Sequence, residues 1–197
     1  MNNNYIEAKI FTKTDFSKDP LPEGEYENCT FINCDLSNST LSGFVFTACV
    51  FTGCNLSLAK ISHTAFREVK FTGCKLMGMH FENCNAFLFS IDFHQCILNL
   101  SSFYKLNLKR TKFKDSTLQE ADFTESDLSG SSFDNCDLAG AMFENSILEK
   151  TDFRKAFHYA IDPEINRIKK ARFSLQGVAG LLGKYGIEIE QRNGQNA

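Results

Sequence analysis

The feature that most constrains the fold is a run of apolar residues spaced five apart. Five helical residues turn a side chain about 140° past a full circle, so a helix would smear the run around its surface. In a straight strand, successive members would point to opposite faces. The chain must therefore bend once per repeat, as a β-solenoid does. No interval is missed at Phe113, Leu118, Phe123, Leu128, Phe133, Leu138, Phe143, Leu148 and Phe153.

The identity of the apolar residues sets the number of sides in each coil. With four sides the coil repeats every 20 residues, and Phe113 stacks on Phe133 while Leu118 stacks on Leu138. A 15-residue coil would mix phenylalanine and leucine within every column. We therefore predict an all-β solenoid with four sides. It spans residues 1–158, and residues 159–197 close its C-terminal end.

The N-terminal half has the same spacing in a register shifted by two residues. Its centres run from Phe11 to Phe81, and the next centre is Leu88, so we place a two-residue insertion within 84–87. A single shift restores all the columns, which predicts a bulge in one continuous solenoid and not a domain boundary. Pro20 and Pro22 predict a second irregular corner near the first coil.

Glycine and asparagine mark the corners, because a corner requires a positive φ angle. They stand two residues after the centres at Gly43, Gly53, Gly73, Gly78, Gly130 and Gly140, and at Asn28, Asn33, Asn38, Asn83, Asn135 and Asn145. The backbone pattern and the core pattern therefore predict the same fold.

The cysteines lie two residues before the centres, in a second inward slot. Serine, alanine and threonine fill this slot elsewhere, so it selects small side chains that can be buried. Stacked cysteines would have Cβ atoms about 4.8 Å apart, farther than the roughly 3.8 Å of a relaxed disulfide. We expect buried, reduced thiols, and not disulfides or metal ligands, at Cys29, Cys34, Cys49, Cys54, Cys74, Cys84, Cys96 and Cys136.

The tail after the last repeat carries the signals of a helical cap. An open solenoid end exposes apolar core and unpaired backbone, so it requires a cover. Asp162 and Pro163 are typical of a helix start, and a second helix is predicted from about Ser174. The alternatives are a cap for this solenoid and a dimer contact. We favour the dimer contact, through Leu175, Val178, Leu181, Leu182, Ile187 and Ile189.

Two stretches are more specific than the repeat: CNLSLAKISHTAFREVKFTGCKLMG, residues 54–78, and the non-repetitive YAIDPEINRIKKARFSLQGVAGLLGKYGIEIE, residues 159–190. With the repeat, they resemble pentapeptide repeat proteins, and among these the Qnr-like group that includes the albicidin-resistance protein. The resemblance implies a right-handed quadrilateral β-helix with a C-terminal α-helical cap that forms homodimers through its C-terminal helices. It also implies a DNA mimic that binds type II DNA topoisomerases and can protect them from quinolones or similar poisons. The two long loops of quinolone-protecting members are absent from this sequence.

The charge distribution indicates a candidate binding surface. Residues 113–152 contain ten acids and two lysines, a net charge of -8, whereas residues 60–112 have a net charge of +5. The resemblance and this asymmetry together predict that an acidic surface occupies the DNA-binding groove of DNA gyrase or topoisomerase IV. The predicted partner-binding residues are Asp115, Glu120, Asp122, Glu125, Asp127, Asp134, Asp137 and Glu144.

Two other interpretations of the charge remain open. The acids can simply occupy polar outward positions, in which case the protein is a general interaction scaffold with an unrelated partner. Direct nucleic-acid binding is the least favoured interpretation, and it would use basic residues near the middle of the chain: Lys105, Lys109, Arg110 and Lys112.

Catalysis finds little support in the sequence. His63, His80 and His94 lie at outward positions of different coils, and His158 takes a central slot, without the spacing of a metal site or a catalytic group. The N-terminus has no signal-peptide pattern, and no apolar stretch reaches about 18 residues. We therefore expect a cytoplasmic protein that is not an enzyme and has no cofactor, metal or membrane segment.

Overall fold

The computed structural model describes residues 4–190, which form a parallel β-solenoid containing no α-helix. One sheet has the strand order β1-β3-β5-β7, and the other has the order β2-β4-β6-β8-β9-β10-β11. Isolated bridges extend the pairing into two further columns. The strands are β1 Asn4–Glu7, β2 Ile10–Thr12, β3 Gly24–Glu27, β4 Thr30–Ile32, β5 Val45–Thr47, β6 Val50–Thr52, β7 Ala65–Arg67, β8 Val69–Thr72, β9 Ile91–His94, β10 Lys112–Lys114 and β11 Ser132–Asp134.

The register confirms the 20-residue coil and the two-residue insertion. Phe31 pairs with Phe51, 20 residues on, whereas Phe71 pairs with Phe93, 22 residues on. Four columns of bridges or strand pairs recur in each turn. The right-handed quadrilateral form of the coil stays a prediction.

The insertion lies slightly later than the centre spacing suggests. The N–H of Asn85 still donates to the carbonyl of Thr64, and that of Ser90 already donates to the carbonyl of Phe66, both at 2.9 Å. The extra residues therefore lie within 86–89. Leu88 is not a centre: it has a φ of 57° and is 63% exposed, and Phe89 packs against the core in its place. The residue that must make the bend cannot also point inward.

A column of phenylalanine rings runs along the core. Consecutive rings are nearly parallel, with centroids 4.5 to 5.5 Å apart. The neighbouring column packs edge-on against it, as between Phe113 and Phe123 at 5.8 Å and 86°. The stack continues past the predicted end of the repeat, through Phe11, Phe31, Phe51, Phe71, Phe93, Phe113, Phe133, Phe153 and Phe173.

The second inward slot is a hydrogen-bonding position. Cys54 Sγ donates to the carbonyl of Phe31 at 3.4 Å, and Thr64 Oγ1 donates to that of Leu41 at 2.7 Å. Thiols and hydroxyls therefore make the same contact with the coil before them. All eight cysteines are free and buried, which confirms the prediction for this slot. Burial raises the pKa of Cys49 and Cys136 to about 12, because it disfavours the thiolate.

The corners have positive φ at all six predicted glycines and at five of the six predicted asparagines. The exception is Asn83, which lies in the 3₁₀ helix Phe81–Asn83. Leu58 and Leu100 also have positive φ, 58° and 62°, although leucine rarely adopts this conformation. The closure of the coil, and not the corner residue alone, therefore determines the corner conformation. At the predicted irregular corner, Tyr26 Oη donates to the carbonyl of Pro22 at 2.5 Å.

The predicted C-terminal α-helical cap is wrong. The N–H groups of Arg167 and Arg172 donate to carbonyls of the previous coil at 3.0 and 2.9 Å, and Phe173 stacks on Phe153 at 5.4 Å. Asp162 accepts a hydrogen bond from the N–H of Glu164 at 2.8 Å, so it caps a turn and not a helix. The previous coil offers backbone carbonyls and the face of the Phe153 ring. Hydrogen bonding and stacking with these groups stabilise one more coil in place of the predicted helix. The division of the chain at residue 158 stays a prediction.

The remainder of the tail covers the end of the solenoid with two short 3₁₀ helices, Gly177–Leu181 and Gly183–Tyr185. Their glycines disfavour an α-helix by about 1 kcal/mol each. Leu181 packs against the core, and Lys184 Nζ lies 2.7 Å from Asp162 Oδ1. Within residues 4–190, no helix has the length and apolarity needed to cross a membrane.

Candidate protein-interaction surface

The predicted partner-binding acids lie around all four sides of the coil. Each side takes its name from its core column, with columns 1 to 4 centred on Phe113, Leu118, Phe123 and Leu128. The acids therefore form no single stripe. This distribution is compatible with the scaffold interpretation, in which the acids simply occupy polar outward positions. Column 1 has Asp115 and Asp134, column 2 has Glu120 and Asp137, column 3 has Asp122, Glu125 and Glu144, and column 4 has Asp127.

Five of these eight carboxylates lie within 4.0 Å of a lysine or histidine nitrogen, mostly on a neighbouring coil. Lys105 Nζ lies 3.3 Å from Glu125, and Lys109 Nζ lies 3.1 Å from Asp127. Lys155 Nζ lies 3.0 Å from Asp134, and Lys114 Nζ lies 4.0 Å from Asp115. The two histidine contacts, His158 with Asp137 at 2.8 Å and His94 with Asp115 at 3.3 Å, are ion pairs only when the imidazole is protonated. Ion pairs between exposed side chains contribute little stability, but they reduce the field that a partner meets.

Local hydrogen bonds keep the carboxylates of Asp115 and Asp127 ionised. The Asn135 amide donates to Asp115 at 2.8 Å and lowers the pKa of that carboxyl. At Asp127, partial burial by itself raises the pKa, but hydrogen bonds from Ser129 and the charge of Lys109 outweigh it and the net pKa is lowered. These carboxylates therefore remain charged at neutral pH.

Three predicted acids form no ion pair within the described chain: Glu120, Asp122 and Glu144. We call them the acidic patch. Glu120 and Asp122 flank buried Ala121, and Asp122 bridges to the next coil. Glu144 also lies in that next coil, where its carbonyl accepts the N–H of Glu125 at 2.8 Å. The unpaired carboxylates therefore lie in two adjacent coils, at the edge between columns 2 and 3 and on column 3.

The predicted dimer residues divide into two groups. Leu175 is 89% exposed, and Val178, Ile187 and Ile189 are 38 to 55% exposed. Leu181 and Leu182 are half-buried, and Leu181 packs on the core. Sequence reasoning missed other exposed apolar side chains in the last coils: Met142, Phe157 and Ile165.

The described residues contain no arrangement of histidine, cysteine, aspartate or glutamate that would hold a metal ion. His158 is not in a central slot. It is exposed at a corner with a φ of 60°, and Tyr159 takes the buried position. A cavity of about 360 Å³ lies beside the contact between the last coils and the tail, with Met142, Ile165 and Lys184 in its wall. Its lining has no set of groups that suggests catalysis.

Comparison with protein families identifies the type of repeat. Residues 25–87 and 86–156 match the model described as a pentapeptide repeat region. The chain belongs to the pentapeptide repeat family. No curated protein matches it. This pentapeptide repeat protein is similar in structure to a trypsin-treated variant of QnrB1, a plasmid-mediated fluoroquinolone resistance protein, with a TM-score of 0.61 and 17% identity over 95% of this chain and 98% of that one.

Two further solved structures match over most of their length. Full-length QnrB1 gives a TM-score of 0.40 with 17% identity over 93% of this chain and 100% of that chain. HetL, a pentapeptide repeat protein involved in heterocyst differentiation regulation in Nostoc sp. strain PCC 7120, gives 0.36 with 16% identity over 87% of each chain.

Proposed function

We propose that this protein binds a type II DNA topoisomerase, DNA gyrase or topoisomerase IV, as a DNA mimic. The observation that carries the proposal is the acidic patch, whose three carboxylates lack counter-ions on the side of a rod. A solenoid with strand layers roughly 10 Å apart and outward side chains is roughly 20 Å across, similar to a duplex. The fold shared with QnrB1, a fluoroquinolone resistance protein, supports the proposal. Protection from quinolones or similar poisons and a cytoplasmic location are parts of it.

The binding mode should be electrostatic and sensitive to salt. Duplex DNA carries one phosphate charge per about 1.7 Å of its axis, so the acidic patch is a sparser imitation. The paired carboxylates, such as Asp127 and Asp134, add less to the field because a lysine offsets each one. The proposed role therefore depends on where the unpaired charges lie, and less on the net charge of the segment.

Neutralising the acidic patch should strongly weaken the effect on gyrase. For the variant Glu120→Gln, Asp122→Asn, Glu144→Gln, we expect at least about a tenfold rise in the concentration that inhibits supercoiling, because the unscreened charges are gone. The matched control is Asp115→Asn, Asp127→Asn, Asp134→Asn, which removes the same formal charge at paired positions. It should change that concentration by less than about threefold.

The outcomes separate the interpretations. Equal loss in both variants would show that net charge matters and the patch does not. A wild-type protein without any effect on gyrase or topoisomerase IV would contradict the topoisomerase proposal, and a general interaction scaffold with an unrelated partner would take its place.

The proposal includes a homodimer formed through the exposed tail side chains. Leu175→Asp should raise the dissociation constant of the dimer by roughly two orders of magnitude or more, because each protomer loses about 2 kcal/mol of apolar burial. Light scattering at micromolar concentration measures this. Leu58→Asp is the matched control, since Leu58 is also an exposed leucine, at 59%, but lies far along the rod. A wild type that is monomeric under these conditions would contradict the dimer.

A further inference from the structure

The ion pairs leave two separate groups of unpaired charges on the solenoid. Between residues 100 and 172, most charged side chains find a partner within the described chain. Three carboxylates do not, and they form the acidic patch. The other unpaired side chains in this range are all cations, which we call the basic edge: Arg110, Lys112, Lys150, Lys169 and Lys170.

The basic edge follows one corner of the coil, between columns 4 and 1. Its axis is the row Arg110, Gly130, Lys150 and Lys170, all with φ of 60° to 70°. The N–H of Arg110 donates to the next coil at 3.1 Å, and that of Lys150 donates to the carbonyl of Lys169 at 3.0 Å. At about 4.8 Å per coil, the row is about 14 Å long. It lies on the other side of the rod from the edge between columns 2 and 3.

Nearby carboxylates do not cancel the basic edge over its C-terminal part. Glu149 pairs with Arg167 at 2.7 Å, and Asp152 pairs with Arg154 at 2.8 Å and with Arg172 at 3.8 Å. At the other end, Asp92 lies in the coil before Lys112 and accepts its backbone N–H at 2.9 Å. The positive field is therefore strongest around Lys150, Lys169 and Lys170, all of which are exposed.

We propose that the basic edge binds the phosphate backbone of duplex nucleic acid, at a site separate from the acidic patch. The edge is a row of exposed cations without a pocket, and such a surface contacts phosphates without reading bases. Gly130 has no side chain, so a strand crossing the row can approach the backbone of the corner closely. Contact between these cations and the phosphates would release counterions condensed on the duplex, and this release provides the driving force for binding.

The basic group predicted from the sequence for such binding shares only Arg110 and Lys112 with the basic edge. Lys105 and Lys109 were part of the predicted basic group, but Glu125 and Asp127 neutralise them in the structure. The cations that replace them lie about two and three coils further along the chain. Only the coil brings them into the row with Arg110.

The test is fluorescence anisotropy with a labelled 20-base-pair duplex and the full chain, from 20 to 200 mM salt. We expect the logarithm of the binding constant to fall with the logarithm of salt with a slope of about -3, as for three to four phosphate contacts. The variant Lys150→Gln, Lys169→Gln, Lys170→Gln should bind at least about tenfold more weakly at low salt, with a slope smaller by about 2 to 3.

The matched control removes the same charge elsewhere: Lys13→Gln, Lys60→Gln, Lys75→Gln, all at exposed positions. It should weaken binding by less than about threefold. Equal effects of both variants, or no binding by the wild type at 20 mM salt, would overturn the proposal. If the protein does not bind the duplex but associates with itself in a salt-sensitive way that the variant Lys150→Gln, Lys169→Gln, Lys170→Gln loses, the proposal is overturned in favour of a second copy as the occupant.

The same variants separate this site from the proposed topoisomerase function. A protein that binds DNA can inhibit supercoiling simply by sequestering the substrate. If gyrase inhibition depends on the acidic patch, the variant Lys150→Gln, Lys169→Gln, Lys170→Gln should retain it, and the acidic-patch variant should still bind the duplex. Loss of either activity then leaves the other proposal standing.

Discussion

Mild alkali should unfold this protein, with a cooperative transition between about pH 10 and 11.5. The cause is the buried thiols. Burial raises the pKa of Cys49 and Cys136 to about 12 and also raises the pKa of Cys84, while an unfolded chain has cysteines that ionise near pH 8.5. Because the folded pKa is the higher one, the stabilisation is complete below about pH 8.5 and is lost as the pH rises toward 12.

The expected size of this effect is comparable to the whole stability of a domain. Each such thiol loses roughly 1.4 kcal/mol of stabilisation per pH unit in this window. Three thiols over two units amount to about 8 kcal/mol, against a typical free energy of unfolding of 5 to 15 kcal/mol. Tyr26, whose pKa is also raised to about 12 by burial, adds to the same alkaline effect.

Circular dichroism against pH measures the transition, and absorbance near 240 nm follows thiolate formation. In Cys49→Ser, Cys136→Ser the slope of stability against pH should be smaller, because serine does not ionise. Serine is suited to this slot, since Ser116 occupies it in the coil next to Cys136. Rapid thiol labelling of the native protein at pH 8, or the same pH dependence in the variant, would contradict the explanation.

The fold could be predicted largely from spacing, because a solenoid repeats its contacts at a fixed interval. The phenylalanine column, the small inward slot and the glycine corners each follow from residues five or 20 apart. The last coil was missed although Phe173 stands 20 residues after Phe153. The Asp162 and Pro163 pair is a genuine turn signal, and at sequence level it is the same signal that starts a helix.

The candidate site could be predicted only in part, because its electrostatics depend on contacts between coils. The sequence shows that Glu125 and Asp127 are acidic, but not that Lys105 and Lys109 lie 3.1 to 3.3 Å from them. Ten acids in one segment therefore suggest a stronger field than the structure presents. The unpaired residue Glu120 could have been identified by pairing each charge with the residues about 20 positions away.

Truncating one ring in the middle of the core should cost far more than truncating one at the end. Phe113 is fully buried and stacks between Phe93 at 5.3 Å and Phe133 at 4.8 Å. It also contacts Phe103 and Phe123 edge-on at 5.9 and 5.8 Å. Replacing a buried phenylalanine by alanine costs about 3 to 5 kcal/mol, since the coils on either side can collapse only partially.

In a solenoid this loss has a second consequence. Each coil contacts only its neighbours, so stability is roughly a sum of coil and interface terms. Phe113→Ala weakens two interfaces in the centre of the rod, and the N-terminal and C-terminal halves should then unfold separately. Phe11→Ala, at the partly exposed first ring, should cost less than about 2 kcal/mol and leave a single transition. Urea unfolding followed by circular dichroism and by hydrogen exchange compares the two variants. If both shift the same single transition equally, the rod unfolds as one unit whose stability does not depend on the continuity of the ring column.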